Sequence, residues 1–294
     1  MRFGRLLTAM VTPFTPNGAV DYDRALALAR HLVENGSDGV VVAGTTGESP
    51  TLSKEEKLTL FARVAEALGG KGSVIAGTGT NDTAASVALT RAANDTGVDG
   101  VMAVCPYYNK PSQEGMYRHF RAIAEATALP VILYNVPSRT ASNLEPATVE
   151  RLTAVSNIVA LKEACGDLGQ IAELFRRVPP EFAVYSGNDA DTFHIMALGG
   201  VGVISVVSHI AGPAMKELVE AAAAGDWEKA RKAHLRLGPL IKVLFLPACT
   251  SPSPVKTAMR LCGFDVGGLR LPLTECEEKS VAQIREVVQG LGLV

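Results

Sequence analysis

The sequence lacks the features that mark membrane proteins, nucleic-acid-binding proteins and histidine metal sites. No apolar run approaches the ~20 residues that a helix needs to span a bilayer, so no membrane association is expected. The net charge is −2 over 294 residues, with no basic stripe or tail, so nucleic acid is not an expected partner. The five histidines include no H-x-H or H-E-x-x-H spacing, and no metal site is expected from them.

Paired cysteine motifs are also missing. The five cysteines, at positions 105, 165, 249, 262 and 276, are an odd number and contain no C-x-x-C pair. This usage predicts reduced thiols and a cytoplasmic location.

The glycine-rich stretches are incomplete as phosphate-binding loops. GTGTND (77–82) lacks the third glycine of the dinucleotide fingerprint, and in GGKGS (69–73) a glycine follows the lysine where a P-loop has Ser or Thr. An open, doubly wound sheet that binds a nucleotide is therefore disfavoured.

What the chain does contain is a regular alternation of short apolar runs and helical patterns. Eight strands are predicted, at residues 6–11, 39–43, 73–76, 100–104, 130–134, 158–161, 182–185 and 201–207. Helices are predicted at residues 22–35, 54–68, 82–96, 114–127, 146–153, 168–177, 189–198 and 212–224. The alternation predicts parallel βαβ units, and strands that are apolar throughout predict burial on both faces. Eight repeats predict the α/β class and a closed (β/α)₈ TIM barrel.

The C-terminal part extends beyond what a barrel needs to close. From Trp227 the apolar residues follow helical spacing, and Pro239 is predicted to kink that helix. Two further helices are predicted near residues 254–262 and 275–290. We expect residues 1–225 to form the catalytic barrel and residues 226–294 to form a helical domain.

Lys162 directly follows the apolar strand 158–161, where a lysine is unexpected because desolvating an ammonium group is costly. In barrel enzymes the active site lies at the carboxyl ends of the strands. A partly desolvated amine there favours its neutral form and can make a Schiff base with a carbonyl substrate. The alternative interpretation is that Lys162 pairs with Glu163 or is simply a solvated residue at the end of a strand.

Other strand ends supply the groups that Schiff-base chemistry requires. Tyr134 can transfer a proton to the carbinolamine, and the hydroxyls of Thr45 and Tyr108 can extend the relay. Thr45 and Thr46 lie between glycines and can turn backbone N–H groups toward a carboxylate. Each residue alone has an ordinary structural explanation, but their convergence on one barrel face favours catalysis.

Four motifs, GTTGE, PYYNKPSQEG, YNVPSRT and LKEA, occur in an order and spacing that resemble the dihydrodipicolinate synthase family. That family belongs to the N-acetylneuraminate lyase superfamily of class I aldolases, and the similarity covers essentially the whole chain. GTTGE and the lysine are shared across the superfamily. YNVPSRT discriminates better, because Arg139 matches the arginine that binds the second substrate's carboxylate.

The resemblance implies that Lys162 condenses with pyruvate and that the enamine attacks the aldehyde of L-aspartate 4-semialdehyde. The product is 4-hydroxy-tetrahydrodipicolinate, a precursor of diaminopimelate and lysine. The implied proton relay consists of Tyr134, Thr45 and Tyr108, and Tyr108 is contributed by the neighbouring subunit. The residues implied to line the pyruvate pocket are Thr46, Gly187 and Ile204.

The resemblance also implies that no metal or organic cofactor is needed and that the chain forms a homotetramer, a dimer of tight dimers. Two alternatives remain. A sister aldolase or lyase acting on a sialic acid or a 2-keto-3-deoxy sugar acid would keep Lys162 and Tyr134 but have little use for Arg139. A non-enzymatic barrel would serve as a scaffold or sensor.

Some members of the family are inhibited by lysine bound in a cleft at the tight-dimer interface. Three residues match positions of that cleft: Ser49, Asn81 and Tyr107. The carboxylate that receives the inhibitor's ammonium in sensitive members falls on Ala85, and two histidine positions fall on Lys54 and Lys57. We therefore predict an enzyme insensitive to lysine, the alternative being that Glu56 replaces the missing carboxylate.

Overall fold

The computed structural model describes residues 2–294 and contains all eight predicted strands. The strands are β1 (Leu6–Ala9), β2 (Gly39–Val42), β3 (Ser73–Gly77), β4 (Gly100–Val104), β5 (Val131–Asn135), β6 (Ile158–Glu163), β7 (Ala183–Ser186) and β8 (Gly202–Ser205). Their ends differ from the predicted ends by at most two residues. Nearly every strand residue is buried, as expected for strands covered on both faces.

The strands form a closed parallel barrel. Each pairs with the next along the chain, and β8 returns to β1, where Leu7 lies opposite Ile204. On its other side β1 pairs with β2, and Leu7 lies opposite Gly39. The predicted α/β class and (β/α)₈ architecture are confirmed.

Helices connect the strands and continue beyond the barrel. They are α1 (Tyr22–Glu34), α2 (Lys54–Leu68), α3 (Thr83–Ala93), α4 (Gln113–Ala124), α5 (Pro137–Thr140), α6 (Pro146–Leu152), α7 (Leu168–Arg177), α8 (Thr192–Ala197), α9 (Ser208–Ala223), α10 (Trp227–Leu244), α11 (Ser253–Leu261) and α12 (Glu278–Gly290). Short 3₁₀ turns span Ser49–Thr51, Asn94–Thr96 and Asp189–Asp191.

Local capping explains why α2 has the predicted bounds. The Ser53 hydroxyl accepts a hydrogen bond from Glu56 N at 3.1 Å, and the Glu56 carboxylate accepts one from Ser53 N at 2.8 Å. This reciprocal capping box satisfies N–H groups that the first turn cannot bond internally. At the other end Gly69 adopts a left-handed conformation with φ of 51°, which ends the helix.

Helix α9 begins at Ser208, four residues before the predicted start at residue 212. Its backbone is not continuous, because Ala211 has φ of −126° and ψ of 46°, outside the helical region. The predicted helix corresponds to the segment after this break, which contains Pro213 near its beginning. Proline is tolerated there because the first turn of a helix leaves N–H groups unbonded.

The C-terminal part is helical, as predicted. Helix α10 packs along α9, and α11 packs against both α12 and α9. The helix predicted to kink at Pro239 runs as one α-helix through that residue. The Asp226 side chain caps α10 by accepting a hydrogen bond from Lys229 N at 3.0 Å. Because this cap marks the start of α10, we keep residues 1–225 and 226–294 as the proposed division.

The prediction that all cysteines are reduced is wrong for two of them. Cys249 and Cys276 are joined by a disulfide, with Cα atoms 5.6 Å apart, inside the range that a disulfide requires. An odd count means only that one cysteine must stay unpaired, and residues 27 apart in sequence meet here through the packing of the C-terminal part. Cys105, Cys165 and Cys262 are free thiols.

Across residues 2–294, no helix combines the length and the apolar character needed to cross a bilayer.

Candidate active site

Lys162 lies within β6, between Tyr134 of β5 and Tyr185 of β7 in the barrel register. Only 4% of the residue is exposed, and its Nζ lies 4.2 Å from the centroid of the Tyr134 ring. Burial lowers the pKa of Lys162 to about 7; the nearby Asp189 carboxylate opposes this shift and the Arg139 guanidinium adds to it. The amine is therefore partly neutral at neutral pH, as a nucleophile requires.

The alternative partner for this lysine, Glu163, is occupied elsewhere. Successive residues of a strand face opposite sides, and Glu163 accepts hydrogen bonds from Asn135 Nδ2 at 3.0 and 3.2 Å and from Cys165 N at 2.8 Å. Burial raises the pKa of Glu163 to about 7, although these donors partly oppose the shift. No salt bridge joins Lys162 to a carboxylate anywhere in the described chain, 2–294.

Tyr134 lies beside Lys162 and is also buried. Burial raises the pKa of Tyr134 to about 12, and interactions with Arg139 and the Thr45 hydroxyl counter only part of that rise. The phenol is therefore protonated at neutral pH and can donate a proton or a hydrogen bond.

Thr45 and Thr46 lie in a tight loop, residues 44–49, between β2 and the 3₁₀ turn at Ser49. Glu48 N donates to Thr45 O at 3.1 Å, and Ser49 N donates to Gly44 O at 3.3 Å. These bonds close the loop on itself, so the threonines sit on a constrained backbone. Thr46 is 7% exposed.

Gly187, which follows β7, is required by the space around Lys162. A Cβ at this position would lie 2.8 Å from Ala164 Cβ and 3.1 Å from Lys162 Cγ. Its N–H donates to Glu163 O at 2.7 Å, which ties the end of β7 to the end of β6. Any larger residue would force a shift of Ala164 or of its neighbours, which include the Lys162 side chain.

Arg139 lies in α5, a four-residue helix that the sequence did not predict. Pro137 begins this helix with a preset φ, and Ala141 ends it in a left-handed conformation with φ of 54°. The short helix directly follows β5 and holds Arg139 at the rim of the barrel.

A cavity of about 270 Å³ opens at this end of the barrel. The predicted site residues Thr45, Tyr134 and Arg139 line it. Three residues relevant to the predicted lysine cleft line it as well: Ser49, Lys57 and Tyr107. Some of the predicted catalytic residues and some of the cleft positions thus line one cavity, at the C-terminal end of the strands where barrel enzymes bind substrates.

Tyr108 is separate from this cavity. Its φ of 76° lies in the left-handed region, which is unfavourable for a large side chain, and 88% of the residue is exposed. Within the part of the chain described here, residues 2–294, Tyr108 does not line the cavity. Thr46, Gly187 and Ile204 also lie outside its lining, as does Lys162, which packs against the lining residue Tyr134; Ile204 is 1% exposed in β8.

Asp189 is a buried carboxylate that influences Lys162 and that was not predicted from the sequence. It is 2% exposed and accepts hydrogen bonds from Ser205 Oγ at 2.5 Å, Val206 N at 2.9 Å and Val207 N at 3.2 Å. Burial raises the pKa of Asp189, and these donors and Lys162 oppose the rise. The signal for this residue in the sequence is a carboxylate placed shortly after the end of a predicted strand.

Known proteins resemble the chain along its whole length. The sequence pattern of the Dihydrodipicolinate synthetase family matches residues 2–291. A 4-hydroxy-tetrahydrodipicolinate synthase of Symbiobacterium thermophilum is 56% identical over 293 residues, 99% of this chain and 99% of the relative. A dihydrodipicolinate synthase of Bacillus anthracis is 48% identical, with a TM-score of 0.94 over 98% of each chain. The lysine-bound enzyme of Cyanidioschyzon merolae is 46% identical, with a TM-score of 0.96 over 99% of each chain.

Proposed function

The chain belongs to the dihydrodipicolinate synthetase family, and from that membership we propose that it condenses pyruvate with L-aspartate 4-semialdehyde through a Schiff base on Lys162. The enzyme is a lyase, and its activity is a pyruvate-dependent condensation in lysine and diaminopimelate biosynthesis. The second substrate, the covalent intermediate, the roles of individual residues and a cytoplasmic location are our proposals.

The observation that carries the proposal is a buried lysine with no carboxylate in salt-bridge contact within residues 2–294, held 4.2 Å from the Tyr134 ring centroid. In its neutral form Nζ attacks the keto carbon of pyruvate to give a carbinolamine. Protonation of the carbinolamine hydroxyl lets it leave as water, which forms the Schiff base. Loss of a methyl proton then gives the enamine that attacks the aldehyde carbon.

Tyr134 is the group that we assign to proton transfer, because its phenol is protonated and lies beside Lys162. Thr45 lines the same cavity and extends the relay. Tyr108 is highly exposed in a single chain, which supports its proposed role in a neighbouring subunit. We therefore propose that at least a dimer is required for turnover, within a tetramer.

Arg139 is the residue that we assign to the carboxylate of the semialdehyde. Its place in the cavity lining supports the condensation over cleavage of a sialic acid or sugar acid, which has little use for this arginine. A guanidinium matches a carboxylate with two parallel hydrogen bonds.

Trapping with borohydride tests the covalent step. The wild-type protein is incubated with pyruvate, reduced, digested and mapped by mass spectrometry. We expect one pyruvate-derived group per chain, on the peptide that contains Lys162. Labelling of another lysine, or none, refutes the proposed mechanism.

We also propose that lysine does not inhibit this enzyme. Lys57 is 8% exposed and lines the cavity; burial lowers its pKa, and as an amine it offers no carboxylate to receive a cationic inhibitor. The alternative carboxylate, Glu56, is held by Arg270, whose Nη1 and Nη2 lie 2.9 and 2.5 Å from its oxygens. Ala85 supplies no replacement charge.

An inhibition assay at saturating pyruvate checks this second proposal. We expect no inhibition by lysine below millimolar concentration. Introduction of Ala85→Glu together with Lys57→His is expected to create a response, because together they restore the carboxylate and one histidine position of the sensitive members. Half-inhibition of the wild type below 1 mM would contradict the proposal.

A further inference from the structure

We propose that Lys256, in the C-terminal helix α11, is a positioning residue that holds the loop of residues 44–49 for pyruvate. The inference rests on the proposed function, in which Thr45 and Thr46 of this loop serve the substrate. Lys256 is fully buried, and it takes no part in the reaction steps described above. We call Lys256, Glu48 and the carbonyls of Thr12 and Gly268 the loop anchor.

The loop anchor surrounds the ammonium group of Lys256 with oxygen atoms. Nζ donates hydrogen bonds to Thr12 O at 2.8 Å and to Gly268 O at 2.7 Å. Glu48 Oε1 lies 2.7 Å from Nζ, at an angle outside hydrogen-bond geometry, so their attraction is that of an ion pair. Both side chains of the pair have 0% exposure. Removing one partner of such a buried pair strongly destabilises the fold, because the other charge is left buried without compensation.

Glu48 connects the anchor to the loop that carries the threonines. Its φ of 56° places a non-glycine residue in the left-handed region, which surrounding contacts must maintain. Its N–H donates to the carbonyl of Thr45. A shift of Glu48 would therefore shift Thr45, three residues earlier.

Two further contacts fix the loop from other directions. Thr12, whose carbonyl receives Lys256, donates from Oγ1 to Gly47 O at 2.6 Å. The second oxygen of Glu48 accepts a hydrogen bond from Arg270 N at 3.1 Å, in the segment that follows α11. The C-terminal part thus contacts the loop through Lys256 and through Arg270, although the barrel closes without it.

A purely structural ion pair would affect stability but not the binding of pyruvate. Lys216 offers a matched control, because it pairs with Asp38 at 2.5 Å at the opposite, amino-terminal end of the barrel. Asp38 directly precedes β2, far from its carboxyl end. Lys216→Met therefore removes a lysine–carboxylate pair without touching the loop, although that pair is partly exposed, at 31% and 28% of the two side chains.

The experiment measures the pyruvate concentration that gives half-maximal borohydride trapping at Lys162, together with the melting temperature. We expect Lys256→Met to raise that concentration by about tenfold or more, and Lys216→Met to change it by less than about twofold. The double variant Glu48→Gln/Lys256→Met removes both charges, while the carboxamide can still accept from Arg270 N, and is expected to fall in between.

Each outcome decides the inference. Half-saturation within twofold of wild type in Lys256→Met, or an equal shift in Lys216→Met, overturns it. If Lys256→Met does not fold, the double variant, which leaves no unpaired charge, decides by the same threshold. Absence of trapping in the wild type overturns the proposed function itself and this inference with it; normal trapping with an unchanged Lys256→Met overturns the inference alone.

Discussion

Lys162 and Lys256 are both buried beside an aromatic ring, yet the two regions treat the charge differently. Lys162 Nζ lies 4.2 Å from the Tyr134 centroid and, within residues 2–294, makes no salt bridge. Lys256 Nζ lies 4.4 Å from the Phe14 centroid and also contacts three oxygen atoms, those of Glu48, Thr12 and Gly268. We attribute the proposed difference between a reactive amine and an anchoring ammonium to those oxygens.

The pKa values follow the same division. Burial lowers the pKa of Lys162 to about 7, with only Asp189 opposing it from a distance. Burial also lowers the pKa of Lys256, but the adjacent Glu48 carboxylate opposes that shift directly. Burial alone therefore does not identify a catalytic lysine. The lack of a paired carboxylate, together with the adjacent Tyr134 ring, distinguishes Lys162 from Lys256.

The largest expected effect is loss of catalysis at the unpaired lysine. Lys162→Ala removes the nucleophile, and Lys162→Arg replaces it with a group that stays protonated, so each should lower kcat/KM by on the order of 10³-fold or more. Steady-state assays of both variants, with circular dichroism to verify folding, provide the measurement. Lys279→Ala, at an exposed position of α12, serves as the control and should remain fully active. Substantial activity in folded Lys162→Arg would break the comparison.

The next effect is on stability, at the paired lysine. Lys256→Met leaves Glu48 buried without a counter-charge and should lower the free energy of unfolding by about 3–5 kcal/mol. Denaturant titration at pH 7 gives this value. A loss below about 1 kcal/mol would mean that the pair does not stabilise the fold.

A disulfide bond is a further difference between the two regions, because only the region around Lys256 contains one. Cys249 and Cys276 are bonded to each other on either side of α11. In the barrel, Cys105 after β4 and Cys165 after β6 are free thiols. Cys249→Ser with Cys276→Ser should lower the free energy of unfolding by about 2–4 kcal/mol, because the unfolded chain gains freedom. Titration of the unreduced, denatured protein should detect the three free thiols. Detection of five would show the bond to be absent.

The smallest effect has the opposite sign. Lys162→Met replaces a buried amine that lacks a paired carboxylate by an apolar side chain of similar length, and should raise the free energy of unfolding by about 0.5–2 kcal/mol. Denaturant titration beside Lys256→Met gives two changes of opposite direction. A loss of stability in Lys162→Met would indicate that Lys162 has a stabilising partner.

Most of the barrel could be predicted from the sequence because strands buried on both faces leave continuous apolar runs, and capping residues such as Ser53 mark the helix ends. The position of Lys162 could be predicted because a lysine at the end of such a run conflicts with burial. These features are local, so a single sequence carries them.

The features that could not be predicted from the sequence depend mostly on residues that are distant in sequence. The Cys249–Cys276 bond forms when the C-terminal helices pack together, and the ion pair between Glu48 and Lys256 forms when they pack on the barrel. Helix α5 is four residues long, too short for any periodic pattern. Asp189 resembles an ordinary loop carboxylate until the donors of β8 and its exit surround it.

The most direct test of the account is the pH dependence of Schiff-base formation at Lys162. The lysine has a usual pKa of 10.5, lowered here to about 7, so the neutral fraction falls as the pH drops through 7. The rate of borohydride-trapped labelling by pyruvate, measured by mass spectrometry from pH 5.5 to 9.5, should fall about tenfold per pH unit below pH 7 and level off above it. A rate that keeps rising to pH 9.5 with no inflection near 7 would mean that Lys162 behaves as an ordinary lysine, and would contradict the account.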